Sequence, residues 1–262
     1  MSEPERLLAA VTDVARIAGA VALEAFGKGI EVEIKRDGSP VTAADRAAEV
    51  AAREWLGRFF PDDEILGEEF GASEGRSGRR RWLIDPIDGT KSFVAGVPLW
   101  GTLIAVANGE QVLAGAINCA AAGELVAAAR GAGAWRNGVR CRVSSVDTLE
   151  EATVLTTDPR FRGFPERRAA WDRLAERARV VRCWGDCYGY LLVAAGRADV
   201  MVDDRMNAWD SAALEPIIVE AGGVFTDWRN RPTAFGGDSI ATNAALAGVV
   251  RDVLTESTLG RA

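Results

Sequence analysis

Apolar residues recur every three or four positions through Leu7, Leu8, Val11, Val14, Ile17, Ala18, Val21 and Phe26, which predicts an amphipathic helix ending at Gly27. Ser2 and Glu5 supply a capping box for it, and Pro4 suits its first turn. The pattern then alternates at Ile30, Val32 and Ile34, a strand, and breaks at a turn over Asp37-Gly38-Ser39-Pro40. Thr42 and Asp45 form a second capping box that opens a helix running to about Arg58. The short apolar piece Ile65-Leu66 delivers Gly67-Glu68-Glu69, and the Gly-, Ser- and Arg-rich stretch from Gly71 to Arg80 reads as a mobile loop. Trp82-Leu83-Ile84 reads as a buried strand that Pro86 stops, with Gly89-Thr90 opening the next helix.

From Gly101 to Val143, apolar runs broken at Asn108-Gly109 and Asn137-Gly138 predict an antiparallel meander, in one sheet with residues 30 to 34. Beyond about Ser145 strands and helices alternate, with strands at Thr153–Thr156, Val180–Cys183, Asp199–Val202 and Gly223–Thr226. The chain therefore divides into an α+β half, residues 1–147, and an α/β half, residues 148–262. No repeat or low-complexity tract suggests a solenoid or scaffold.

Composition narrows the chemistry. The 262 residues are 48% hydrophobic and can bury a substantial core. A net charge of -7 argues against nucleic acid as a partner. The first 28 residues carry acids within an amphipathic pattern, so neither a signal peptide nor a membrane span is expected, and the expected location is the cytoplasm. With 0 histidines there is no Ser-His-Asp triad, no imidazole base and no His-ligated zinc. Cys119, Cys141, Cys183 and Cys187 lack a C-x-x-C pairing and read as reduced structural thiols.

Acidic residues stand where elements end: Asp45, Glu68, Asp85, Asp88, and Asp210 after Trp209. Each has an ordinary explanation in isolation, as a helix cap or a solvated loop charge. The stretch Asp85-Pro86-Ile87-Asp88-Gly89-Thr90 is different, because two carboxylates beside a buried strand repel unless a cation neutralises them. Carboxylate oxygens suit a hard cation such as Mg²⁺, and backbone N–H groups at a helix start suit phosphate oxygens. Metal-assisted phosphate chemistry follows. Aspartyl-phosphate chemistry of the haloacid-dehalogenase type needs two aspartates separated by one residue, and here two residues intervene; no P-loop motif is present either.

The combination of Gly67-Glu68-Glu69, Asp85-Pro86-Ile87-Asp88-Gly89-Thr90, Trp209-Asp210 and Glu220-Ala221-Gly222-Gly223 resembles the inositol monophosphatase family over nearly the whole chain. The resemblance implies a layered αβαβα sandwich and Mg²⁺-dependent hydrolysis of a small phosphomonoester, with two or three Mg²⁺ ions and a homodimeric assembly. It assigns Glu68, Asp85 and the Ile87 carbonyl to one ion, and Asp85, Asp88 and Asp210 to a second. Two cations can clamp an in-line displacement. Thr90, hydrogen-bonded toward Asp45, is similar to the family's hydroxyl that orients the attacking water together with Glu68, while the Gly89 and Thr90 N–H groups would hold phosphate.

For the ester, Trp184-Gly185-Asp186-Cys187-Tyr188-Gly189-Tyr190 and Asp203-Asp204 are acidic and aromatic, which favours a substrate bearing an amine and an imidazole over a polyol. L-Histidinol phosphate has both. Asp88 through Phe93, Gly96-Val97-Pro98 and Gly185-Asp186 resemble the family's histidinol-phosphatase branch. Gly185, Asp186 and Asp203 are the expected specificity residues, beside Asp88, Gly89, Thr90 and Asp210 at the phosphate end, with Arg182 a lesser candidate. Inositol-1-phosphate, a 3'-phosphonucleotide, and a non-catalytic regulatory role are the alternatives.

Overall fold

The computed structural model describes residues 1–29, 31–35, 40–73, 75 and 80–256. Ile30, the turn residues Asp37, Gly38 and Ser39, and positions 74 and 76–79 of the expected mobile loop lie outside the described residues. Ser2 caps α1 (Glu3–Ala25) through the expected box, and Val11, Val14, Ala18 and Ala22 form its buried stripe. Among the described residues β1 (Val32–Ile34) and β2 (Pro40–Thr42) pair only with each other. The expectation that residues 30 to 34 join the main sheet is thereby corrected: β1 is exposed along its length and offers no apolar face to a packed layer. Thr42 caps α2 (Ala43–Phe59), with Asp45 closing the box.

β3 (Glu64–Gly67), β4 (Gly71–Ser73) and β5 (Arg81–Asp88) precede the short helix α3 (Thr90–Val94). The meander follows as β6 (Gly101–Asn108), β7 (Gln111–Cys119), β8 (Glu124–Ala129), β9 (Gly133–Arg136) and β10 (Val139–Arg140). Together these strands form an eight-stranded sheet ordered β10-β9-β8-β7-β6-β5-β3-β4, in which only β3 and β5 run parallel. Asn137 and Gly138 sit at φ 48° and 80°, the two positive angles that a type I′ hairpin requires.

After the passage from one sheet to the other come β11 (Thr153–Leu155), α4 (Pro165–Arg177), β12 (Val180–Arg182), α5 (Asp186–Ala194) and β13 (Val200–Asp203). α6 (Ala208–Ser211), α7 (Leu214–Glu220), β14 (Gly223–Thr226), β15 (Ser239–Asn243) and α8 (Ala247–Thr255) complete the chain. The second sheet is ordered β12-β11-β13-β15-β14, with β15 antiparallel to both neighbours. β15 is absent from the strands expected of the sequence. Its Ser, Thr and Asn residues carry little strand signal, and it forms because all five positions are buried.

Alternation along the strands makes the layers. Trp82, Ile84, Ile104 and Val106 pack with α1 and α2, whereas Leu83, Leu103, Ala105 and Ile117 face Leu191, Leu214 and Ile217 of α5 and α7. Met201 and Ala241 close the far side of that middle layer, while Val200, Val202 and Ile240 pack against Trp171 and Leu174 of α4 and Val250 of α8. The order is therefore helix, sheet, helix, sheet, helix. One hydrophobic cluster runs between both sheets, and polar contacts reinforce it: the Glu220 carboxylate accepts from Gly131 N and Gly133 N, each at 2.8 Å, and Arg130 Nη2 donates to Glu215 at 2.7 Å.

One departure from the expected strands matters for the site. Pro86 does not stop β5, which continues to Asp88. Asp85 pairs with Leu103 and Asp88 with Gly101, so three steps along β5 match two along β6, a bulge. β3 pairs with β5 only as far as Ile84, so no neighbour on that side asks Pro86 for an N–H.

Candidate active site

Glu68 follows β3, Asp85 and Asp88 lie at the end of β5, Thr157 lies just past β11, and Asp203 ends β13. Strand ends of both sheets thus meet at one place, where open α/β sheets bind ligands. A cavity of about 480 Å³ opens there, lined by Asp88, Asp186, Asp203 and Asp210 among other acids, and also by Lys91, Arg160, Arg162 and Arg205.

Local structure explains how the groups are delivered. The β5 bulge separates Asp85, which is 2% exposed, from Asp88, which opens toward the cleft. Asp85 Oδ1 accepts from Ile87 N at 3.1 Å. Gly89 then caps α3 at φ +83°, and a Cβ there would lie 3.0 Å from both Asp186 Oδ2 and the Leu99 carbonyl oxygen, so both conformation and close approach require glycine. Asp210 closes a capping box at the start of α6, its Oδ2 accepting from Asn207 N at 2.7 Å. Gly185 precedes α5, whose first N–H groups go to Thr157 Oγ1, from Asp186 at 2.8 Å, and to Asp88 Oδ2, from Cys187.

The electrostatics are those of anions crowded together. Burial first, then the charges of Glu68, Asp88 and Asp210, push Asp85 well above the usual carboxylate range; Glu68 is also within its hydrogen-bonding reach. Burial, then Asp186 and Asp210, raise Asp88 in the same way. Burial and Glu68 lift Asp210 to about 6 against the hydrogen bonds from Asn207, and burial with Asp203 lifts Asp186 to about 7 against the pull of Lys91. Lys35 offsets some of this crowding: its Nζ lies 2.7 Å from Glu68 Oε1 and 2.6 Å from Glu69 Oε1. Burial would lower its ammonium, but those two partners hold it above its ordinary value.

Donor chemistry fits a divalent cation: four carboxylates, mutually coupled, with their charge compensated only in part by protein cations. Among the described residues, however, no group of three or more cysteine, aspartate or glutamate side chains stands close enough together in this structure to hold a metal ion.

Most of the expected residues come together. Glu68, Asp85, Asp88 and Asp210 are electrostatically coupled, and Asp88, Asp186, Asp203 and Asp210 line the cavity. Ile87 keeps its carbonyl beside them, accepting from Thr90 Oγ1 at 3.0 Å. The expected Thr90–Asp45 hydrogen bond is not made. Asp45 Oδ2 instead accepts from Thr42 N at 2.8 Å and Thr42 Oγ1 at 2.6 Å, because it completes the α2 cap; burial and, to a lesser degree, the charge of Glu68 raise Asp45 above its ordinary value. Arg182 turns to its own strand, donating to the Val181 carbonyl, and stacks over Trp184. Sequence reasoning missed Thr157, which bridges α5 and Asp203, and Glu49, which is fully buried and accepts from Glu69 N at 2.7 Å under the Glu68 turn. A helix-face glutamate and a threonine past a strand carry no distinguishing pattern.

The chain matches the model of the inositol monophosphatase family over residues 3–258. It is 44% identical to a histidinol-phosphatase of Chlorobaculum parvum, covering 88% of this chain and 89% of that protein. It is 39% identical to a histidinol-phosphatase of Mycobacterium tuberculosis, covering 83% and 85%. A solved inositol monophosphatase of Zymomonas mobilis superposes with a TM-score of 0.86 over 98% of this chain and 100% of that one, at 32% identity. Five alternating layers, acids gathered at the strand ends and a match along almost the full length lead to one conclusion: the chain belongs to the inositol monophosphatase family.

Proposed function

We propose that the chain is a divalent-cation-dependent phosphomonoesterase whose substrate is L-histidinol phosphate, released as L-histidinol and phosphate. The placement of Asp186 carries this reading. Its carboxylate stands beside Gly89, is coupled to Asp88 and lines the cleft with Asp203, Asp204 and Asp210, so that acids outnumber the cationic Lys91, Arg160, Arg162 and Arg205 there. A cationic amine satisfies that excess, and a neutral polyol does not. The names of the two relatives at 44% and 39% identity support the same choice.

Glu68, Asp85, the Ile87 carbonyl, Asp88 and Asp210 are proposed to hold the cations, taken as two or three Mg²⁺ ions. Bound there, the ions would lower the cost of activating water and of placing charge on the departing oxygen. The chain's own groups do the rest. Glu68, steadied by Lys35, accepts a proton from the attacking water, and Thr90 keeps its oxygen lone pairs for that water while donating to Ile87. Gly89 N and Thr90 N are proposed for the phosphate oxygens. Asp45 stays tied into the α2 cap, near enough to Glu68 to be raised by its charge. A homodimer and a cytoplasmic location belong to the same proposal; among the described residues no helix is long and apolar enough to cross a membrane.

The test is kcat/KM across L-histidinol phosphate, inositol 1-phosphate and an adenosine 3',5'-bisphosphate, with MgCl₂ and with EDTA. The expected result is cation-dependent turnover favouring histidinol phosphate by about tenfold or more. Preference for the inositol ester would overturn the substrate, and no turnover of any ester would overturn the enzyme.

A further inference from the structure

Asp186 is one of the non-glycine residues at positive φ, with φ +51°, and it opens α5. That conformation is uncommon for any residue but glycine, though aspartate bears it more easily than most, and here the surroundings hold it. The surroundings are specific. Thr157 Oγ1 accepts the Asp186 N–H at 2.8 Å and donates to Asp203 Oδ2 at 3.1 Å, while Thr157 N donates to Asp203 Oδ1 at 2.9 Å. Asp203 also accepts from Tyr190 OH at 2.9 Å and, more distantly, from Thr156 Oγ1 at 3.5 Å. Its two oxygens therefore carry four donors, the usual capacity of a carboxylate, and Asp203 is 7% exposed. Although it lines the cleft, it has no acceptor direction left for a substrate.

Gly185 presses on the same threonine. A Cβ on Gly185 would lie 2.4 Å from Thr157 Cα and 2.8 Å from Thr157 Oγ1. Contact this close fixes the α5 entrance against β11. Two residues on, Cys187 gives its N–H to Asp88. A continuous series of contacts therefore joins Tyr190, Asp203, Thr157, Asp186 and Cys187 to a carboxylate of the cation site.

We infer that Thr157 is a positioning residue: its hydroxyl, anchored on Asp203, holds Asp186 in the left-handed conformation that aims its carboxylate at the leaving-group side of the cleft. Asp203 then serves as the anchor of this arrangement and Asp186 as the group that meets the substrate. This deepens the proposed specificity and rests on it for the identity of the ester, but not for the geometry.

Two readouts separate the geometry from the substrate. In a crystal structure of Thr157→Val, similar in shape but without the hydroxyl, Asp186 should relax to negative φ and Cys187 N should leave Asp88; Thr157→Ser should keep both. Kinetically, Thr157→Val should raise KM for histidinol phosphate about tenfold, with a smaller change in kcat, and should lose more on that ester than on glycerol phosphate. Thr157→Ser should recover most of the loss. Should Thr157→Val fail to fold, Gly185→Ala, whose Cβ would push against Thr157 Cα and Oγ1, should produce the same shift in KM. The inference is overturned if Asp186 keeps φ near +51° in Thr157→Val, or if valine and serine behave alike. If the wild-type protein itself does not prefer histidinol phosphate, the substrate reading fails, and the crystallographic comparison alone decides the role of Thr157.

Discussion

Replacing Asp88 by Asn should stabilise the cation-free protein and destabilise it relative to wild type once a cation is present. Asn keeps an oxygen for the Cys187 N–H and nearly the same shape, so the change is mainly one of charge. Burial, Asp186 and Asp210 raise the Asp88 carboxyl well above the usual range. An unfolded aspartate ionises near pH 4, so at pH 7 the folded chain either holds a proton that the unfolded chain has released or tolerates a crowded anion. At about 1.4 kcal/mol per pH unit the penalty is capped near 4 kcal/mol, and because Asp85, Asp186 and Asp210 share the relief, about 1–3 kcal/mol is expected for one charge. For a chain of this size that is a rise in Tm of roughly 3–8 °C. With cation the order reverses. A ligand at a hundred times its Kd adds about 2.7 kcal/mol to the wild-type protein, and the variant, lacking a charged ligand, should gain far less. Calorimetry in EDTA and across a MgCl₂ titration reads the crossing directly. A lower Tm in EDTA with an unchanged Mg²⁺ shift would refute the idea that Asp88 is a strained anion awaiting a cation.

Other consequences follow from the same geometry. Asp186 and Asp210 are raised to about 7 and about 6, so they cost stability from about pH 4 upward until those values are passed. Without cation, Tm should therefore fall between pH 5 and 7, and saturating MgCl₂ should flatten the profile; a rise over that range in EDTA would contradict it. Asp186→Ala should reduce kcat/KM for histidinol phosphate at least about tenfold more than for glycerol phosphate, and equal losses would remove Asp186 from substrate choice. Glu220→Ala should cost about 2–3 kcal/mol in urea unfolding by leaving Gly131 N and Gly133 N without their carboxylate, with Glu220→Gln milder; an unchanged midpoint would mean that water replaces it.

Much was legible from local rules. The capping boxes at Ser2-Glu5 and Thr42-Asp45, the Asn137-Gly138 hairpin and the alternating strands of the meander follow from hydrogen-bonding needs and side-chain period within a few residues, so the sequence by itself determined them. The sequence also marked Asp85 and Asp88 as crowded carboxylates at a strand end, and the structure places them beside Glu68 and Asp210, where burial and mutual repulsion raise them. Only tertiary structure decided the rest. Pro86 sits inside β5 because β3 has already ended beside it, and β15 is a strand because β13 and β14 flank it. Thr90 bonds Ile87 because the α2 cap engages Asp45, and Thr157 matters only because α5 returns to within 2.8 Å of it. Those outcomes depend on which distant groups compete for the same donor or space, and that competition exists only once the layers have packed.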